Sequence, residues 1–114
     1  MEKLLKAAQY ALCGLCYAFA KERAFRQECL LFLLFFIISF FLANTMIEFL
    51  LLNGALFLIL ITELLNTAIE KTLDRISTDQ NPYTKIAKDV SSAAVFLSLV
   101  LGAGTWIGIW ISHF

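Results

Sequence analysis

Four residues have the types and the spacing to do chemistry together: Glu63, Asn66, Glu70 and Asp74 stand at i, i+3, i+7 and i+11. At about 100° per residue on an α-helix they fall at roughly 0°, −60°, −20° and +20°, with Thr67 at about +40°, so all share one face. Glu63 and Asn66 sit where the chain is still strongly apolar. A carboxylate there costs several kcal/mol unless it faces a polar interior or stays protonated, which makes a functional role the default reading. Further polar groups belong at the same end: Glu22 with Arg26 four residues on, and Lys88-Asp89 with Ser92 three residues beyond the aspartate. Carboxylates at different depths, a lysine and an asparagine are the parts a Mg·ATP site needs. Carboxylates hold a hard divalent ion, a lysine neutralises phosphate charge, and a further carboxylate takes a hydroxyl proton. Neither a Gly-x-x-x-x-Gly-Lys-Ser/Thr loop nor a kinase-type glycine-rich loop occurs in the sequence, so a nucleotide site here is built differently. The plainer reading is a solvated helix face salt-bridged to Lys71, Arg75 or a neighbouring chain, and it weighs most for Asp74. Residue types alone leave a membrane enzyme and an ion pathway both open.

The elements that must carry this stripe are helices in lipid. The chain has 114 residues, 61% hydrophobic and 16% charged, with a mean hydropathy of +0.81. A soluble domain of this size could not hide so much apolar surface. Nine Lys+Arg balance nine Asp+Glu, so the net charge of zero excludes no partner. Residues 3–20 are amphipathic, with Leu4, Leu5, Ala8, Ala11, Leu12, Leu15 and Phe19 on one stripe, which predicts a helix lying in the membrane interface. Apolar runs predict membrane spans at about 27–46, 48–76 and 88–111. The second starts near 46 and is longer than a bilayer needs, so it should project from the membrane. Asn44-Thr45 reads as a turn, and Ser77–Thr84, with its Asn-Pro, as the clear loop. Gly102, Ala103, Gly104 and Gly108 permit close helix contact. Trp106 and Trp110 suit an interfacial belt. His113 and Glu48 read as solvated residues. Cys13-Gly-Leu-Cys16 has the C-x-x-C spelling without a second pair or a histidine cluster, and reads as helix packing. The first twenty residues lack a signal-peptide core. All nine Lys and Arg lie at or before residue 26 or between 71 and 88. The positive-inside rule therefore places the N-terminus and the 77–84 connection in the cytoplasm, and the 44–48 connection and C-terminus across the membrane.

The run Glu63-Leu-Leu-Asn66-Thr-Ala-Ile-Glu70-Lys-Thr-Leu-Asp74-Arg75 resembles the signature of the prokaryotic diacylglycerol kinase family. Ala87-Lys88-Asp89 followed by Ser92-Ala93-Ala94-Val95 resembles its second block. Lys6-Ala-Ala, Glu22-Arg-Ala-Phe-Arg-Gln-Glu28 and the ending Trp110-Ile-Ser-His-Phe114 extend the similarity over nearly the whole chain. The resemblance implies an all-α membrane protein, with an N-terminal amphipathic surface helix and three transmembrane helices, assembled as a homotrimer. Residues 1–114 would be one membrane-embedded lipid kinase domain of the inner membrane with a cytoplasmic active site. It implies ATP-dependent phosphorylation of a lipid hydroxyl, with Mg2+ as cofactor. By position, Glu63 would be the general base, and Glu22 and Glu70 would hold the metal. Lys3, Tyr10, Glu22, Asn66, Glu70, Asp74, Lys88 and Asp89 would line the nucleotide site. Ala24, Gln27, Glu63 and Ser92 would lie at the lipid substrate. Ala11 and Cys13 depart from the polar or basic side chains the resemblance leads one to expect there. Three thin helices cannot enclose the stripe, so a neighbouring chain should complete it. The expected acceptor is diacylglycerol. Undecaprenol is the alternative within the family, and a proton or cation pathway lined by the stripe is the alternative from another class.

Overall fold

The computed structural model describes residues 1–76 and 81–114, which form four helices: α1 (Glu2–Lys21), α2 (Arg23–Leu42), α3 (Met46–Ile76) and α4 (Pro82–Ser112). No strand occurs among the described residues. Residues 77–80, the first half of the expected loop, lie outside them. α2, α3 and α4 are each long and apolar enough to cross a membrane. A surface helix followed by three spans is the predicted architecture.

Each helix end has a local cause. Glu22 is extended, with φ −104° and ψ 110°, and separates α1 from α2. Arg26 then donates from Nη1 to Phe19 O and Ala20 O, both at 3.2 Å. It thereby satisfies carbonyls that the end of α1 leaves free and sets a cation against the negative end of its dipole. The helix α2 spans 23–42, four residues upstream of the predicted 27–46. The charged run Arg23–Glu28 is part of the helix, because its residues are good helix formers anchored by Arg26. Downstream, Thr45 Oγ1 accepts from Glu48 N at 3.1 Å while the Glu48 carboxylate reaches back to Asn44 N at 2.8 Å. This is a capping-box arrangement, and it ends one helix by starting the next. Asn81 caps α4 by accepting from Tyr83 N at 2.8 Å, with Pro82 in the first turn. The helix α4 therefore begins six residues before the span predicted from 88.

The long helix expected from 46 to 76 is present as α3, whose 31 residues extend about 46 Å, against about 30 Å of hydrocarbon. Glu63 lies about 26 Å along it from its start, and Glu70 and Asp74 follow about 10 and 16 Å further along the axis.

α4 packs antiparallel to α3, the most extensive contact in the chain. Polar pairs mark the seam from one end to the other: Lys88 with Asp74, Ser91 with Asn66, Ser98 with Thr62, and Trp106 Nε1 donating to Leu52 O at 3.0 Å. α2 packs on α3 through aromatic contacts, Phe32 to Phe57 at 4.9 Å and Phe40 to Phe49 at 5.0 Å between ring centroids. A buried Asn53–Ser39 hydrogen bond of 3.1 Å joins the same two helices. Interhelical bonds of this kind contribute about 0.6 kcal/mol each in a membrane. The buried apolar residues are few, namely Ala18, Phe25, Leu52, Ala55 and Leu56, while Phe41, Ile47 and Leu97 are among many left exposed. Such a surface suits lipid or another chain, not water.

Several residues sit differently from expectation. Of the small residues in α4, a Cβ at Gly102 would lie 2.9 Å from Ile59 Cδ1, whereas Gly104 and Gly108 face open space. Trp106 is turned inward, its ring centroid 5.1 Å from that of Phe35, so only Trp110 is placed as a belt residue should be. His113 and Glu48 are not solvated singly. His113 Nε2 and Glu48 Oε1 are 3.0 Å apart, and His113 Nδ1 is 2.6 Å from Asn44 Nδ2. Asn44 donates to Nδ1, which leaves the ring proton on Nε2 for the glutamate. The end of α4 is thereby clasped to the α2–α3 turn.

Candidate active site at the Glu63–Asp74 end

The predicted stripe forms on one helix, but its members have different surroundings. Asn66 Nδ2 donates to Glu70 Oε1 at 3.1 Å, one turn along α3. Asp74 Oδ1 accepts from Lys88 Nζ at 2.9 Å, which ties the outer end of the stripe to α4. Asp89 is spent instead on Lys85, 2.7 Å away on its own helix. Glu22 lies 3.4 Å from Lys71, so it stands beside α3 on the side of the stripe. Glu63 is half-buried and has no hydrogen bond or ion pair among the described residues. Its electrostatic neighbours are Glu70 and Glu22, both acidic.

Other predicted residues are not gathered in. Lys3 and Tyr10 are exposed on α1, and Ala24, Gln27 and Ser92 are exposed on α2 and α4. Ala11 and Gly14, with Leu15, Tyr17 and Ala18, line one side of a cavity of about 490 Å³ whose other wall is Leu64, Thr67, Ala68 and Lys71. The apolar Ala11 thus lines a space between α1 and α3, not a polar pocket.

Two residues escaped the sequence reading. Glu28 Oε2 is buried without a partner among the described residues, and Glu63 is its acidic neighbour. Below it, Leu31, Phe32, Phe35, Leu56, Ile59, Leu60 and Leu99 enclose an apolar cavity of about 140 Å³. Its signal was present, since a helix begun at Arg23 carries Glu28 well inside an apolar run. The second is Ser91, which donates to Asn66 Oδ1 at 2.7 Å. Ser91, Ser98 and Gly102 recur at i, i+7 and i+11, the spacing that would have marked the face of α4 turned to α3.

No three His, Cys, Asp or Glu side chains among the described residues come close enough to enclose a metal ion. The donor chemistry nevertheless suits Mg2+, which takes one or two carboxylates and completes its shell with waters and phosphate oxygens. Glu70 keeps one carboxylate oxygen free of the Asn66 bond.

The chain matches known proteins over nearly its whole length. The family profile described as prokaryotic diacylglycerol kinase matches residues 9–110. A diacylglycerol kinase of Haemophilus influenzae is 41% identical over 106 residues, which is 93% of this chain and 90% of the relative. One from Pseudomonas aeruginosa is 41% identical over 109 residues, 96% of this chain and 89% of that protein. One from Escherichia coli is 38% identical over 112 residues, 98% and 92% of the two chains. With a match over nearly its whole length, and the expected surface helix and three apolar helices in place, the chain belongs to the prokaryotic diacylglycerol kinase family.

Proposed function

We propose that the protein transfers the γ-phosphoryl group of ATP to the free hydroxyl of diacylglycerol, giving phosphatidic acid and ADP. The observation that carries this reading is Glu63: a half-buried carboxylate without a partner among the described residues, on α3 where its apolar run gives way to charged residues. A carboxylate with no partner of its own has a free lone pair to take a hydroxyl proton. In the reaction Glu63 takes the hydroxyl proton as the lipid oxygen bonds to the γ-phosphorus, and the bond from that phosphorus to the ADP oxygen breaks.

The remaining residues take roles by their order along α3. Glu70, with Glu22 from the α1–α2 junction, would hold the divalent ion, which when bound neutralises phosphate charge. Asn66 orients Glu70 through its 3.1 Å bond. Lys88, with Asp74 and Asp89, meets the polyphosphate, and its ammonium exchanges Asp74 for phosphate when nucleotide binds. Lys3 and Tyr10, exposed on α1, reach nucleotide from a neighbouring chain of a homotrimer. Ala24, Gln27 and Ser92, also exposed, lie along the path of the lipid headgroup. The Lys and Arg distribution supports an inner-membrane protein with this end in the cytoplasm.

Replacing Glu63 tests the assignment. In Glu63→Gln, lipid phosphorylation should fall by about a hundredfold or more while the protein purifies in its native oligomeric state. Near-normal turnover in that variant would remove Glu63 from the role of base.

A further inference from the structure

We propose that Ser91 is a positioning residue for the divalent-ion and nucleotide side of the reaction, acting through Asn66 on Glu70. The proposal rests on the reading of Glu70 given above. Ser91 is 6% exposed, and its hydroxyl oxygen lies 2.7 Å from Asn66 Oδ1 and 3.0 Å from Lys88 O. Both neighbours are acceptors. Were the hydroxyl proton turned fully to Lys88 O, two oxygen lone pairs would face each other across the shorter gap. The shorter distance therefore places the proton toward Asn66.

That bond holds the Asn66 side chain in the orientation that Glu70 demands. A carboxamide rotated by half a turn exchanges its acceptor oxygen for its donor nitrogen with almost no change of shape. In the observed state the oxygen meets the Ser91 hydroxyl and the NH2 group meets Glu70 Oε1 at 3.1 Å. In the rotated state the amide oxygen would face an ionised carboxylate, which accepts only. Glu70 therefore sets the amide orientation, and Ser91, by donating to Asn66 Oδ1, anchors the side chain that supports Glu70 while the other Glu70 oxygen stays free for the ion. The same turn of α4 carries Lys88, bonded to Asp74 at 2.9 Å, so a single segment, 88–91, sets two points of the stripe. The adjacent Ser92 is exposed and takes no part.

The consequence is kinetic and one-sided. Ser91→Ala should raise the half-saturating concentrations of Mg·ATP and of free Mg2+ by about fivefold, the loss expected for one buried hydrogen bond. The KM for diacylglycerol should stay unchanged, because the lipid does not touch this relay. Ser91→Thr keeps the hydroxyl and should restore the Mg2+ response. In an Asn66→Ala background Ser91→Ala should have no further kinetic effect, since the residue through which it acts is gone. Ser98→Ala is the control for structure alone: Ser98 is 4% exposed on the same helix and bonds Thr62 at 2.9 Å. That variant should lower thermal stability and leave the Mg2+ dependence unaltered.

The assay is initial-rate kinetics on the purified full chain in bilayers, with Mg·ATP, free Mg2+ and diacylglycerol each varied, beside equilibrium binding of Mn2+ with a non-hydrolysable ATP analogue read by electron paramagnetic resonance, where Ser91→Ala should weaken Mn2+ binding by the same factor. An unshifted Mg2+ dependence in Ser91→Ala overturns the proposal, and so does an equal rise in the lipid KM or full additivity with Asn66→Ala. Glu70→Gln separates the two levels. If it retains the native Mg2+ dependence, the role of Glu70 itself is wrong. If it loses that dependence while Ser91→Ala keeps it, Ser91 alone has been misassigned.

Discussion

The two ends of α3 both carry polar clusters, and they are built in opposite ways. At the Met46 end, Glu48 accepts from Asn44 N at 2.8 Å and from His113 at 3.0 Å, and His113 uses its other nitrogen on Asn44 at 2.6 Å. The carboxylate oxygen and both ring nitrogens are satisfied within the chain. At the other end, Glu63 has no partner among the described residues and Glu28 Oε2 is buried without one. Unpaired acidic groups at the edge of lipid are expensive, and folding alone gives no reason to keep them. A closed polar cluster fastens helices; an open one at a similar boundary is held for something that binds.

That contrast is broken or sharpened by substitution. The largest effect belongs to the open end: Glu70→Gln should lower kcat/KM for Mg·ATP by about a hundredfold, as expected when a carboxylate facing a divalent ion is neutralised. Thermal stability should hold or rise, because a repelling charge is removed. A Tm loss matching that of a variant at the closed end would show that both ends are merely structural. Next comes the clasp. His113→Ala should lower Tm by a few degrees and leave all kinetic constants at native values, since its bonds join α4 to the turn far from Glu63. Altered turnover in that variant would couple the two ends. The smallest effect is expected for the Asp74–Lys88 pair, whose side chains are 59% and 40% exposed. A double-mutant cycle on unfolding should assign the pair no more than about 1 kcal/mol. Lys88→Met should nevertheless raise the KM for ATP. A large coupling with no change in that KM would make the pair a structural tie.

The periodic features were legible in the sequence. Glu63, Asn66, Glu70 and Asp74 share a face because helical spacing alone puts them there, and α3 runs on to Ile76 because nothing after Gly54 interrupts it. Features needing a second element were not. Glu48 and His113 are 65 positions apart, so their pairing has no local trace, although Thr45-x-x-Glu48 did carry the capping signal. Charged residues at a membrane edge look alike whether helical or not, so the inward placing of Glu28 shows only once α2 is seen to begin at Arg23. Ser91 and Ser92 are indistinguishable until the rotation of α4 is known, and Ser98 and Gly102 facing α3 supply it. The clearest departure along α1, Ala11, lies at the cavity against α3.

The most direct test reconstitutes the purified protein in liposomes with ATP labelled at the γ-phosphate, Mg2+, and either diacylglycerol or undecaprenol. The account predicts label in phosphatidic acid, ADP released in equal amount, and little transfer to undecaprenol. Preferential labelling of undecaprenol would reassign the acceptor. An absence of lipid-dependent ATP consumption, with protons or cations crossing the bilayer instead, would contradict the account at its centre and make the open end a pathway.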